Sequence, residues 1–148
     1  MNEILGIITP IALLPFVLFE VILGKIADTK LGEKEILTLG FVIMAFSVAS
    51  LSFINTASLV VWTVLLFITR TGSSMVEVTT ESYFFKHVNA GDTHLITFMR
   101  SIRALAAIIA PLVAFFLLGI TDFRYLFLIL GIIMLTALPY SLTIKDTK

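Results

Sequence analysis

Five polar side chains recur within one otherwise apolar stretch: Thr63, Arg70, Ser74, Glu77 and Glu81. Successive offsets of seven, four, three and four residues place them in one narrow stripe if the stretch is helical, because a helix turns ~100° per residue. A guanidinium and carboxylates on one face can pair with each other, with a neighbouring helix or with a solute. Counted from Leu59 at ~1.5 Å per residue, Arg70 lies about 16 Å along the helix and Glu77 about 10 Å further. Arg70 is the candidate to line a solute path or to meet a glutamate on a neighbouring helix, and Glu77 is the candidate proton-coupling carboxylate. Glu81, nearer the end of the stretch, is expected to pair with Arg100 or Arg103. Glu20, four residues before Gly24, belongs to the same class of charge inside an apolar run.

The elements that must position these groups are membrane helices. The 148 residues are 59% hydrophobic and 14% charged, with a mean hydropathy of +1.09, whereas a soluble domain has about 25% charged residues. A soluble core of this length would leave large apolar patches in water. Five segments are long enough to cross a bilayer core, which needs roughly 20 apolar helical residues: Ile4–Gly24, Ile36–Ile54, Leu59–Ser82, Phe98–Leu118 and Phe123–Thr143. Helix is the form that bonds every backbone group within its own segment. The expected fold is therefore an all-α integral membrane bundle of five transmembrane helices, a single transmembrane domain over residues 1–148. Met1 to Gly24 reads as a retained helix, since Asn2 and Glu3 replace the basic start of a secretory signal.

Charge alternates between the connections. Lys25, Lys30, Lys34, Lys86, Arg100, Arg103, Lys145 and Lys148 fall on one side, Arg124 on the other, and Arg70 within a span. The excess of cations on cytoplasmic loops then puts the N-terminus outside and the C-terminus in the cytoplasm of a cell (plasma or inner) membrane. The formal net charge of +0 gives no basic face for nucleic acid. With no cysteine, disulfides and thiolate metal sites are excluded. His87 and His94 read as solvated loop histidines, since a metal would need further ligands, and no cofactor is expected. Trp62 and Tyr83-Phe84-Phe85-Lys86 fit interfacial anchors. Pro10 and Pro15 interrupt the first segment and are candidate kinks. Ala45, Ala49 and Ser52 share one helix face, and Ala104, Ala107, Pro111 and Ala114 another. Small faces of this kind let backbones approach closely.

The loop after the first segment reads GKIADTKLGEK, Gly24 to Lys34. It resembles the signature loop of the major facilitator superfamily at Gly24, Ala27, Asp28, Gly32 and Lys34. It departs in placing Gly32 four residues after Asp28, where the family has three. It also has Thr29 and Glu33 where the family prefers Lys or Arg. Gly24 can end a helix and allow close approach, Asp28 can accept from free N–H groups at another helix start, and Lys30 and Lys34 hold the loop at the surface. The resemblance implies a latch between neighbouring helices in one transport state. The loop order matches helices eight to twelve of the twelve-helix family, and also two to six. TRTGSSMVEVTTESYFFKHV and the later TFMRSIR resemble the tenth and eleventh helices, which favours the C-terminal part.

A family half holds two inverted three-helix repeats, so five helices imply a partial half-bundle, a fragment or a chain begun at an internal methionine. The implied activity is alternating-access transport of a small solute by a secondary transporter, coupled to protons if Glu77 titrates. Its partners would be the solute, the bilayer, and a missing N-terminal half or another copy of the chain. The competing reading is a small non-transporting membrane interaction or assembly protein. No HExxH, GxSxG or paired aspartate motif points to an enzyme.

Overall fold

The computed structural model describes residues 32–55, 58–89 and 91–144. The expected span Ile4–Gly24 with Glu20, Pro10 and Pro15, and the loop residues Gly24, Asp28 and Lys30, lie outside the described residues. Every regular element among them is an α-helix: α1 Glu33–Leu51, α2 Leu59–His87, α3 Thr93–Ile120, α4 Phe123–Leu135 and α5 Leu138–Thr143. Four stretches are long and apolar enough to cross a membrane, namely α1, α2, α3 and Phe123–Thr143 taken as one.

Several hydroxyls inside these apolar helices are satisfied locally. Thr38 donates to the Lys34 carbonyl at 2.8 Å, Thr63 to Leu59 at 2.8 Å, Thr69 to Leu65 at 2.9 Å and Thr71 to Phe67 at 2.9 Å. Each reaches back four residues, so a polar side chain is carried into the span at little desolvation cost.

α1 is the hub, packing along α2 and against α4 and α5. The close approaches come from residues with little or no side chain. A Cβ built on Gly40 would lie 3.0 Å from the Gly72 carbonyl oxygen, and one on Gly72 would lie 2.9 Å from the Gly40 oxygen and 3.0 Å from the Met44 nitrogen. The α1–α2 crossing therefore has no room for a methyl group. On the other side of α1, a Cβ on Gly131 of α4 would meet the Ala45 oxygen and the Ala49 Cβ, both at 3.0 Å. Lipid tails are as apolar as leucine, so such contact supplies the packing energy that water supplies to a soluble core. Ile36 and Met75 are buried against each other beside Ile43. Two hydroxyl bridges cross the same seams, Thr69 to Ser47 and Thr38 with Ser141, each at 3.0 Å.

Three expectations change. The second helix runs to His87 rather than Ser82, and the third starts at Thr93 rather than Phe98. His87 and His94 consequently sit in helical ends, not in a loop, and His87 Nδ1 lies 2.8 Å from the Tyr83 carbonyl. Tyr83 to Lys86 likewise belong to the last turn of α2. The last segment is divided at Thr136–Ala137 into α4 and α5. Pro139 is the cause. It has no N–H for the Leu135 carbonyl, and its ring crowds that turn. The chain there tightens, with Ala137 N–H bonding to Met134 O at 3.1 Å.

α3 contrasts with the rest. None of its residues is buried, and it touches α4 only lightly. The small face Ala104, Ala107 and Pro111 is exposed, and only Ala114 is half-covered. Close helix packing is thus seen for the Ala45–Ala49 face, and not for this one, among the described residues.

Candidate functional site

The polar stripe lies on the side of α2 away from the glycine seam. Gly72, Met75 and Thr79 are buried, whereas Arg70 and Glu77, about half a turn round the helix, are exposed. Thr63 and Glu81 are half-covered, and Ser74 is fully buried. The five residues thus share a stripe but not an environment.

At its end nearest His87 the stripe meets α3. Arg103 Nη1 is 2.6 Å from Glu81 Oε1 and 3.4 Å from Glu77 Oε1. Of the two arginines considered for Glu81, Arg103 makes the pair. One guanidinium serves two carboxylates on successive turns, so the cluster keeps one excess negative charge. The shorter bond belongs to Glu81, which leaves Glu77 the more weakly held acid. All three side chains are about half-exposed, with relative exposures of 42–45%, so solvent screens these pairs and they contribute little to stability.

Arg70 stands apart. Among the described residues it makes no ion pair and no hydrogen bond. One turn further, the Ser74 hydroxyl is buried and also lacks a hydrogen-bond partner, as does that of Thr79. Most buried hydroxyls in native proteins are satisfied, and these two lie on different faces of α2.

A second charge cluster joins the start of α1 to the end of α2. Glu33 is 2% exposed, and its Oε1 accepts from Lys86 Nζ at 2.6 Å. Gly32 is the residue before α1, and its carbonyl accepts the Ile36 N–H at 3.3 Å. Glu33 and Glu35 occupy the first turn, with Lys86 and His87 in the last turn of α2. Acid at a helix start and base at a helix end both oppose the macrodipole. In the sequence Glu33 is a departure from the loop pattern, where a base is preferred. Here the acid is met by a base on the adjoining helix. The signal was present as an acid opening one apolar helix and a lysine closing the next. Lys34, by contrast, is half-exposed. Beside Glu33 a cavity of about 180 Å³ is lined by Leu37, Phe41, Thr79, Tyr83, Tyr140 and Ser141 among others. It is mostly apolar, and the Glu33 carboxylate there is already engaged.

No group of three or more metal-ligating side chains occurs among the described residues.

Long apolar helices that pack through glycine, with few charges along their length, define a multi-pass helical membrane protein. The stripe gives α2 a polar face along an otherwise apolar helix. The Major Facilitator Superfamily model matches residues 2–147, and the chain belongs to that superfamily of membrane transporters. No curated protein and no solved structure matches it.

Proposed function

We propose that the chain forms part of a secondary transporter that moves a small solute by alternating access, with the α2 stripe lining the path. The observation that carries this reading is Arg70, a charge near the middle of a membrane-length helix, exposed and without an ion pair among the described residues. Intramembrane charge costs at least ~2.5 kcal/mol on insertion scales, and normally faces a bundle interior or a water-filled cavity. Glu77 is the coupling carboxylate, because it shares Arg103 with Glu81 and has the longer of the two bonds. Release of Arg103 from Glu77 on protonation would leave the Glu81 bond in place. Such a step changes the charge of the stripe without undocking α3.

Rocking needs a second bundle against the stripe. The open faces of α2 and α3 support a missing N-terminal half, or another copy of the chain, in that place. The signature loop with Gly24, Asp28, Lys30, Gly32 and Lys34 is the latch, and Glu33–Lys86 extends it into the helical region. Loop charges support a cytoplasmic location for the latch, an outside N-terminus and a cytoplasmic C-terminus in the plasma or inner membrane.

Single cysteines at positions 63, 70 and 74 test the path, read by membrane-impermeant thiol reagents applied to each side of sealed vesicles. Labelling at 63 and 70 that shifts between sides when solute is added supports the reading. Protection of all three positions from both sides, in every condition, would sink it. An immunoblot of the native protein reports the second bundle. A band well above 16.3 kDa indicates one continuous chain, and a band at that mass requires an oligomer.

A further inference from the structure

The charges around the stripe are unequally matched. Glu77 and Glu81 hold Arg103, and Glu33 holds Lys86. Arg70 is left without a counter-charge among the described residues, about 16 Å from the Leu59 end by the ~1.5 Å rise. A lysine or a carboxyl group could escape the penalty of an apolar setting by becoming neutral. A guanidinium cannot, because it stays protonated in proteins. Its compensation has to come from an anion brought to it. Ser74, one turn away on the same stripe, supplies a second and independent observation. It is 0% exposed and its hydroxyl has no partner. Guanidinium and hydroxyl lie one helical turn apart, and neither has an acceptor among the described residues. Planar two-point donation suits a carboxylate or phosphate oxygen pair better than a neutral hydroxyl.

We propose that the solute bound at the middle of α2 carries an anionic group of the carboxylate or phosphate class, held by Arg70 with Ser74 as an auxiliary donor. This rests on the reading of the stripe as a solute path. Arg70 is then a binding residue, while Glu77 and Glu81 lie about two and three turns away and form a separate charge balance with Arg103. The alternative source of the negative charge is a resident carboxylate on another helix or bundle, and the experiment separates the two.

Thermal unfolding of the purified native protein is followed in detergent at fixed ionic strength. The probes are inorganic phosphate, succinate and, as a neutral match, succinamide. The expected result is a rise in melting temperature with phosphate or succinate, none with succinamide, and loss of the rise in Arg70→Gln. Equal shifts in Arg70→Gln and wild type, or no shift with either anion, overturn the proposal, the latter favouring a resident carboxylate. Should Arg70→Gln fail to fold, Thr63→Cys gives a second readout in intact membranes. A positive site favours an anionic sulfonate thiol reagent over a cationic ammonium one by about tenfold or more, since fields in such clefts concentrate counter-ions to that degree. A ratio equal to that of a free thiol overturns the proposal. An anion-dependent shift without solute flux would remove the transport reading and leave the anion site. Flux of a neutral solute without any anion effect would do the reverse.

Discussion

The two long helices α2 and α3 are nearly equal in length, at 29 and 28 residues, and they are held in opposite ways. α2 is locked to α1 through Gly40 and Gly72 with backbone almost touching backbone. α3 has no buried residue, borders an apolar groove of about 490 Å³ shared with α4, and meets α2 through Arg103. Hydropathy does not separate them, since α3 is the more apolar of the two. In lipid, apolarity gives insertion but not association. Association follows from small residues placed where backbones cross. α3 has alanines, yet no described helix presents a matching face to them. The α1–α2–α4 unit is thus the closely packed part, and α3 the part with little packing against it among the described residues.

Substitutions at glycines give the sharpest test of that contrast. Gly72→Leu should be the most damaging, since its first side-chain atom would meet Gly40 and Met44 backbone. Overpacking of this kind costs about 1–3 kcal/mol or more, measured as unfolding free energy in mixed micelles. Gly119, on α3, has nothing within 4 Å of a built Cβ, so Gly119→Leu should leave stability nearly unchanged. Equal losses at the two sites would break the distinction between a locked and a loose helix.

Lys86→Met should come next. Breaking a buried pair costs about 3–5 kcal/mol, but Lys86 is 35% exposed and Glu33 has further interactions, so the loss should fall below that range. A double-mutant cycle with Glu33→Gln isolates the coupling, and independent, additive losses would mean the pair is not an energetic tie.

Thr69→Val removes the bond to Ser47 across the α1–α2 seam. Interhelical hydrogen bonds in membrane proteins average about 0.6 kcal/mol, so a loss near that size is expected in the same assay. Arg103→Gln should change stability least, because its pairs are half-exposed and screened. Its effect should appear in position instead. Spin labels at Thr80 and Ser101 should report a broader α2–α3 distance distribution in the variant. An unchanged distribution would show that α3 is held by something other than Arg103.

Much of this was legible in the chain. Apolar run length set the helices, because a membrane leaves the backbone no other way to satisfy itself. The 100° periodicity set the stripe, and the loop residues led to the superfamily that the match over residues 2–147 shows. The helix ends were less legible. Tyr83 to His87 and Thr93 to Thr97 are polar or aromatic enough to read as loop, yet a helix can project beyond the hydrocarbon with its hydrogen bonds intact. Pro139 carries the signal for the break after Leu135, but the apolar run continues through it and hydropathy alone masks the break.

Composition and spacing thus determined that the protein lies in a membrane, where its helices fall and which side chains share a face, since each depends only on local geometry and solvent. Tertiary structure decided which faces are used. It put Gly40 against Gly72, gave Arg103 to both Glu81 and Glu77, matched Glu33 with Lys86, and left Arg70 without a described partner. Pairings across helices depend on how far one element slides or turns against another, and no spacing within a single helix records that.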